Sequence, residues 1–514
     1  MVYRNVIGLA LALLLLLPLQ QSLAVPPSPV VGQFDHYTVV ARFDPHNRQI
    51  TGSLSLTWIN TTGTIQDALP FRLYPNAAAY EGGGIEVSAV TVDGASSPLS
   101  ATSDPTVAWV DLPDAVSISQ TAEIDMSFVT TIPTDTSMAV NVLHGDPGSG
   151  WWLADWLPII AGWEPGYGWY LEPPGPLGNP TFATSAAWSL SLTMPTNLAA
   201  FGTGRVVGTE SVGGGQHTLT IETEPARDLT LVLLPFDDLV ITERMVGGIR
   251  VRLVLPSALV PPTVIELVMN TAAEVLPFYE DTLDDLPGNE IDVLPVDLAG
   301  FGGIAWSGTI WLDLEGAMAG LDDALRARFR FVLAHELAHQ WIPVAVGSNN
   351  NRHNFLSESL ASHLAVIAFQ HANHEAGARD YLATEVAAPY LAMLDASGDG
   401  VVDNPVASTS ATADRVALIY GKGVLGFEAI RQQIGPDAYL RALNAYAAEF
   451  RFGVSNPTDL QAAFEHASGQ DLTDLWRTWF HSATTTTSDI EVVLAGFQPV
   501  ATPVGPGTGR SSPH

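Results

Sequence analysis

The chain has 514 residues, of which 54 are acidic and 21 basic, giving a formal net charge of −33, and it contains no cysteine. A field of that sign repels phosphate backbones and argues against a nucleic-acid partner; the lack of thiols excludes disulfides, thiol catalysis and cysteine-bound metal, so any metal must sit on His, Asp or Glu. Hydrophobic residues at 47% and charged residues at 15% suit a well-buried globular chain, and the length calls for more than one domain.

Residues 1–24 form the pattern of an export signal: Arg4, an apolar run over 6–17, then Ser22 and Ala24 at cleavage spacing. The run is too short for a comfortable membrane span, although an uncleaved anchor is the alternative. The expected location is extracytoplasmic (secreted, periplasmic or cell-surface), with no stable membrane insertion once the signal is removed. Residues 25–242 read as an N-terminal antiparallel β-sandwich or saddle domain. Stretches such as 36–42, 52–59 and 188–194 alternate polar and apolar, with turn clusters at 44–47, 60–63 and 213–215. The aromatic stretch 151–174, with Trp151, Trp152, Trp156, Trp163, Tyr167, Trp169 and Tyr170, could line a groove; packing is the plainer reading of so many large rings.

Residues 243–495 read as a mixed, mainly helical domain. Strands are expected at 249–255, 291–295 and 309–312, and helices at 261–279 and from Asp322 or Asp323 through 342. Further helices are expected at 358–372, 376–393, 420–434, 436–450, 459–467 and 471–481. Residues 496–514 read as a disordered tail, rich in Pro, Gly and Ser from about residue 501.

The chemistry concentrates in residues 334–341, which contain HExxH. On a helix, His335 and His339 share one face and can reach one ion, while Glu336 leans over water bound there. A zinc held by two histidines wants a third protein ligand and an open position. Glu358, eighteen residues beyond His339, opens the next helical pattern and supplies it, with a Gly- and Asn-rich loop between. A solvated helix face and an ordinary surface glutamate are the bland alternatives; the apolar neighbours Val332, Leu333 and Leu337 count against the first.

HExxH followed at that spacing by Glu resembles the M1 family of zinc metallopeptidases, gluzincins that include aminopeptidase N and leukotriene A4 hydrolase. Residues 335–341, 356–361 and the Tyr-Gly-Lys-Gly block starting at Tyr420 all look like that family's blocks, and the likeness reaches nearly the whole mature chain. It implies an N-terminal β domain followed by a thermolysin-like catalytic domain, one catalytic Zn2+ on His335, His339 and Glu358, and Glu336 as general base. It also implies Tyr420 as hydroxyl donor to the oxyanion, Lys422 in support, and a peptide or protein substrate. One departure bears on specificity. In the family a glutamate on the strand before the zinc helix holds the substrate's free amine; here Gly302, Gly303, Ile304 and Ala305 occupy that substrate-binding strand, with Ala305 at the glutamate's place. Either Glu164 or Glu172 takes over, or a free N-terminus is not required. The remaining readings are therefore an endopeptidase or other hydrolase on the M1 fold, and a non-catalytic binding scaffold. Finally, Asp395, Ser397, Asp399 and Asp403, with Gly400 at the turn, match the early positions of a Ca2+ loop whose closing position is Val406; a solvated acidic loop is the plainer alternative.

Overall fold

The computed structural model describes residues 34–78, 80, 82–134, 142–174, 181–257, 262–296, 298, 302–314, 322–372, 374–406 and 412–497. The export signal expected at 1–24 and residues 498–514 of the tail expected at 496–514 lie outside them. Among the described residues no helix is long and apolar enough to cross a membrane.

The period-two segments build an eight-stranded sheet. Its order is Arg205–Gly213, Gln216–Glu222, Ala186–Pro195, Asp35–Asp44, Gln49–Ile59, Thr121–Thr131, Gly84–Val92 and Ala95–Ser96. Alternation puts Val39, Leu54, Leu56, Ile124, Met126, Leu190 and Leu192 on the buried face, opposite Thr38, Ser53, Ser55 and Asp125. The sheet is not wholly antiparallel, since Asp35–Asp44 runs parallel to Ala186–Pro195. Its buried face shares a core with Leu69, Phe71 and Val110 from one four-stranded sheet and Leu231 and Leu233 from another. The aromatic stretch goes mostly into that core. Trp151, Trp152, Trp156 and Tyr170 are buried, and the Trp156 indole donates to Leu229 O at 2.8 Å; of the seven rings Tyr167 alone is exposed.

A five-stranded sheet separates this core from a second, helical one. Its order is Leu239–Val246, Ile249–Pro256, Glu290–Pro295, Thr309–Leu312 and Gly303–Trp306. Val251, Leu253, Val293 and Ile310 face the helices, while Val254, Leu294, Trp306 and Trp311 face the β domain. Its first strand, Leu239–Val246, runs across residues 242 and 243, where the change of pattern put the domain boundary. Among the described residues Gly303–Trp306 is its edge, paired only with Thr309–Leu312.

Three elements frame the site. Helix Pro262–Leu283 extends four residues past its expected end, and its Tyr279 hydroxyl donates to Ala334 O at 2.9 Å. Helix Asp323–Ala338 starts where expected, the Asp322 carboxylate accepting from Leu325 N at 2.8 Å. It stops short of residue 342 because Pro343 follows. The residue before a proline is driven out of the α region, and Ile342 sits at φ −132°, ψ 105° in a wide turn, Gln340–Ala345. The buried Arg227 of the β domain binds that turn, donating to the carbonyls of Pro343 at 2.9 Å and Val344 at 2.8 Å. Helix Glu358–His371 follows, buried over nearly its whole length. The helices expected at 376–393 and 471–481 form with wide turns inside them, and helix Pro436–Phe450 has the expected bounds. Helix Thr487–Gly496 was missed; Thr486 and Asp489 form a capping box at its start, a pattern readable in the sequence.

Candidate metal centre

One point in the cleft gathers three donors. His335 and His339, one turn apart on the helix end, bring their Nε2 atoms to 2.9 Å of each other. Glu358, from the first turn of the facing helix, places a carboxylate oxygen 3.3 Å from His335 Nε2 and the other 3.7 Å from His339 Nε2. Among the described residues this is the one group of three or more such side chains able to share an ion, with ligand atoms within 4.8 Å of one another.

The outer nitrogens fix the rings. His339 Nδ1 lies 2.8 Å from Ile342 O, a carbonyl that can only accept, so Nδ1 carries a proton and Nε2 is the nitrogen turned toward the shared point. His335 Nδ1 meets the Ser362 hydroxyl at 3.0 Å. Two imidazole nitrogens aimed at one spot beside a carboxylate repel unless a cation lies between them. Two N donors and one O donor, held by groups behind them, suit zinc. The electrostatics agree: burial opposes charge on Glu358, yet the two histidines hold its carboxyl well below the usual carboxylate range. Burial likewise opposes charge on His339, but Glu358 foremost and Glu336 lift it to about 9.

Glu336 shifts in the opposite direction to Glu358. It is 4% exposed, and its Oε2 is buried with no hydrogen-bond partner. Burial foremost, with Glu358 adding, pushes its carboxyl up to about 8. Gly303 of the edge strand lies against it: a Cβ there would fall 2.7 Å from Glu336 Cγ and 2.8 Å from Oε1. Alternation puts Ala305 on the same side of that strand as Gly303, and Ile304 toward the β domain. The Tyr420 hydroxyl donates to Glu358 Oε2 at 2.7 Å; burial foremost, with Glu358 adding, keeps its proton well above the ordinary tyrosine range.

Other residues named from the sequence lie elsewhere. Glu164 is buried and accepts from Asn349 Nδ2 at 2.8 Å and from Arg352, while Glu172 pairs with the same arginine at 2.8 Å. Lys422 is buried away from the donors, its ammonium on Asp399 at 2.8 Å, Gly400 O at 2.8 Å and Ser482 O at 2.6 Å. The four calcium-loop candidates do not converge. Helix Ala388–Ser397 continues through Asp395 and Ser397, and the Ser397 hydroxyl turns back to Met393 O at 3.2 Å. Asp399 accepts from Tyr390, Lys422 and Thr485, and Asp403 is taken by His353 at 2.7 Å and His481 at 3.2 Å. Sequence reasoning missed Ser362 and Arg415. Ser362 stands one helical turn after Glu358, and that spacing could have found it.

The model of the peptidase family M1 domain matches residues 268–479. Aminopeptidase 2 of Candida albicans is 22% identical over 308 residues, covering 58% of this chain and 32% of that protein. Aminopeptidase N of Lactococcus lactis is 26% identical over 227 residues, covering 42% and 26%. The chain thus spans a third or less of the length of these curated relatives. The M1 zinc metallopeptidase from Deinococcus radiodurans shares the fold, with a TM-score of 0.62 at 19% identity over 88% of this chain and 94% of that one. The domain match runs through His335, Glu336, His339, Glu358 and Tyr420, so residues 268–479 carry a peptidase family M1 domain, on a fold shared with a solved M1 enzyme.

Proposed function

We propose that the chain is a zinc-dependent peptidase, acting on peptides outside the cytoplasm. The observation that carries the reading is the convergence of His335, His339 and Glu358 on one point, with the partnerless carboxylate oxygen of Glu336 nearby. His335 Nε2, His339 Nε2 and Glu358 would hold the metal. When bound, zinc lowers the pKa of water at its open position and polarises the scissile carbonyl.

The chain's own groups supply the rest. Glu336 takes the proton of the attacking water and returns it to the leaving amine; its burial favours the protonated acid it becomes midway. The Tyr420 hydroxyl keeps its proton at every working pH, so it is a neutral donor to the oxygen that gains negative charge. The exposed edge of Gly303–Trp306, beside Glu336, can receive an extended peptide as an added strand.

The curated relatives are named aminopeptidases. Here Ala305 offers no carboxylate to an ammonium, and Glu164 and Glu172 are both engaged by Arg352. We therefore read the enzyme as one that does not require a free N-terminus. The extracytoplasmic location rests on the signal pattern of residues 1–24. Glu336→Gln tests the core of the reading: zinc content should persist while turnover of a peptide library drops by about a hundredfold or more. Normal turnover in that variant removes Glu336 from the mechanism. Absence of zinc from the native protein would favour a binding scaffold instead.

A further inference from the structure

We propose that Arg415 is the cation that selects the substrate, pairing with a peptide carboxylate beside the cleaved bond; this rests on the peptidase reading above. Arg415 heads the wide helical turn Val416–Lys422 that presents Tyr420. In a turn wound i to i+5, residues five apart lie close to one face, so Arg415 and Tyr420 project together. The guanidinium donates to Asn354 Oδ1 at 3.2 Å. Asn354 opens the short turn Asn354–Leu356 that leads into Glu358. The side chain therefore bridges the element carrying the hydroxyl donor and the one carrying the third ligand. Its charge also reaches Tyr420, where it opposes the larger effects of burial and Glu358 on that hydroxyl.

Arg415 differs from the other arginines near the site. Arg352 is held by Glu164 and Glu172, and Arg227 by a ring of carbonyls. Among the described residues, half-buried Arg415 has a neutral amide oxygen and no carboxylate. A planar guanidinium with free donors, partly withdrawn from water, is built for a bidentate carboxylate. The nearby carboxylates have other work: Glu358 as a ligand, Glu336 as the base. With Ala305 where the resemblance puts an amine acceptor, the described residues of the site offer a place to an anion and no unengaged carboxylate to an ammonium. The carboxylate has two sources in a peptide, an acidic side chain or the free C-terminus, and both present the same chemistry.

Matched peptides decide it. One pair differs by Glu against Gln near the cleaved bond; the second differs by a free acid against an amide at the C-terminus. Each is measured as kcat/KM with zinc-loaded wild type, Arg415→Gln and Arg415→Lys, and the readout is the ratio within a pair. Wild type should favour the carboxylate member of one pair by about tenfold or more, as a charge-assisted pair provides; the pair that shows the ratio identifies the source. Arg415→Gln should bring that ratio near one, and Arg415→Lys should restore part of it. A wild-type ratio near one in both pairs, or an unchanged ratio in Arg415→Gln, overturns the proposal. Binding of the same peptides to zinc-loaded Glu336→Gln, by calorimetry, reads the preference without turnover. Failure of hydrolysis and failure of selection are then separate results, and a variant that misfolds shows itself by losing zinc rather than by changing a ratio.

Discussion

Gly303→Ala isolates the placement of the base from everything else at the site. Gly303 does not require a positive φ, so the backbone tolerates alanine. The new methyl would fall 2.7 Å from Glu336 Cγ, 2.8 Å from Oε1 and 2.9 Å from Cδ. Ordinary contacts between such atoms begin near 3.4 Å, so the carboxylate must retreat by about 0.5–1 Å. A displacement of that size at a reacting group costs on the order of a hundredfold in rate. None of the three metal-binding side chains is touched, so zinc content and affinity should hold while kcat falls. Gly302→Ala is the internal control, because its methyl would meet Val332 Cγ1 at 2.9 Å and Cγ2 at 3.1 Å, away from the carboxylate. It should lower the midpoint of thermal unfolding and leave kcat nearer wild type. Zinc analysis, a melting curve and steady-state kinetics on both variants complete the experiment. Wild-type kcat in Gly303→Ala, or equal losses of kcat in both variants, would show that the strand does not set the position of Glu336.

Two further changes test the groups behind the site and the charge buried far from it. Ser362→Ala removes the partner of His335 Nδ1 at 3.0 Å and should weaken zinc about tenfold in a chelator competition; unchanged affinity would mean the helix alone orients the ring. Asp35 is buried, accepts from Ile59 N at 2.8 Å, and is raised by burial from an ordinary 3.8 to about 7. The folded chain therefore keeps this proton where the unfolded chain has lost it, and stability falls as pH rises from about 4 to about 7, by at most about 4 kcal/mol. Asp35→Asn keeps the acceptor and should flatten that decline in denaturant titrations; an identical pH slope in the variant would place the burden on other groups.

Local grammar made the ligands legible. His335 and His339 follow from i,i+4 spacing, and Glu358 from its spacing beyond His339 at the start of a helical pattern after a Gly- and Asn-rich loop; these depend on one helix each and a short connection. The same grammar misread the ends of elements wherever a distant partner decides them. Helix Asp323–Ala338 stops early because Pro343 redirects the chain, and the turn is then held by Arg227, more than a hundred residues away. The acidic loop resembled a cation site because spacing shows which oxygens are near in sequence. It does not show that Lys422, Tyr390 and His353 compete for them. Arg415 was invisible for a related reason: what distinguishes it is the lack of a carboxylate partner among the described residues, and pairing is a property of the folded chain.

Glu164, one of the two glutamates offered as amine acceptors, is held by partners of its own. Glu164 lies on a short β-domain hairpin strand, Trp163–Glu164, and its side chain is 2% exposed. It meets Arg352, Asn349 and, at 3.5 Å, His353, all on the loop between the two ligand-bearing helices. For Glu164 to bind a substrate ammonium it would have to leave Arg352, itself mostly buried and stacked over the Tyr167 ring at 4.6 Å. Breaking a buried pair costs at most about 3–5 kcal/mol, and less here because Glu172 stays on Arg352. A new pair with a mobile ammonium at the mouth of a cleft returns about 1 kcal/mol or less. The exchange runs uphill, so the glutamate stays where it is and works as a clasp. It ties the β domain to the loop that positions Glu358. On the proposed reading, Glu164 serves the loop that leads to the third ligand, and the polarity of recognition falls to Arg415 beside Tyr420.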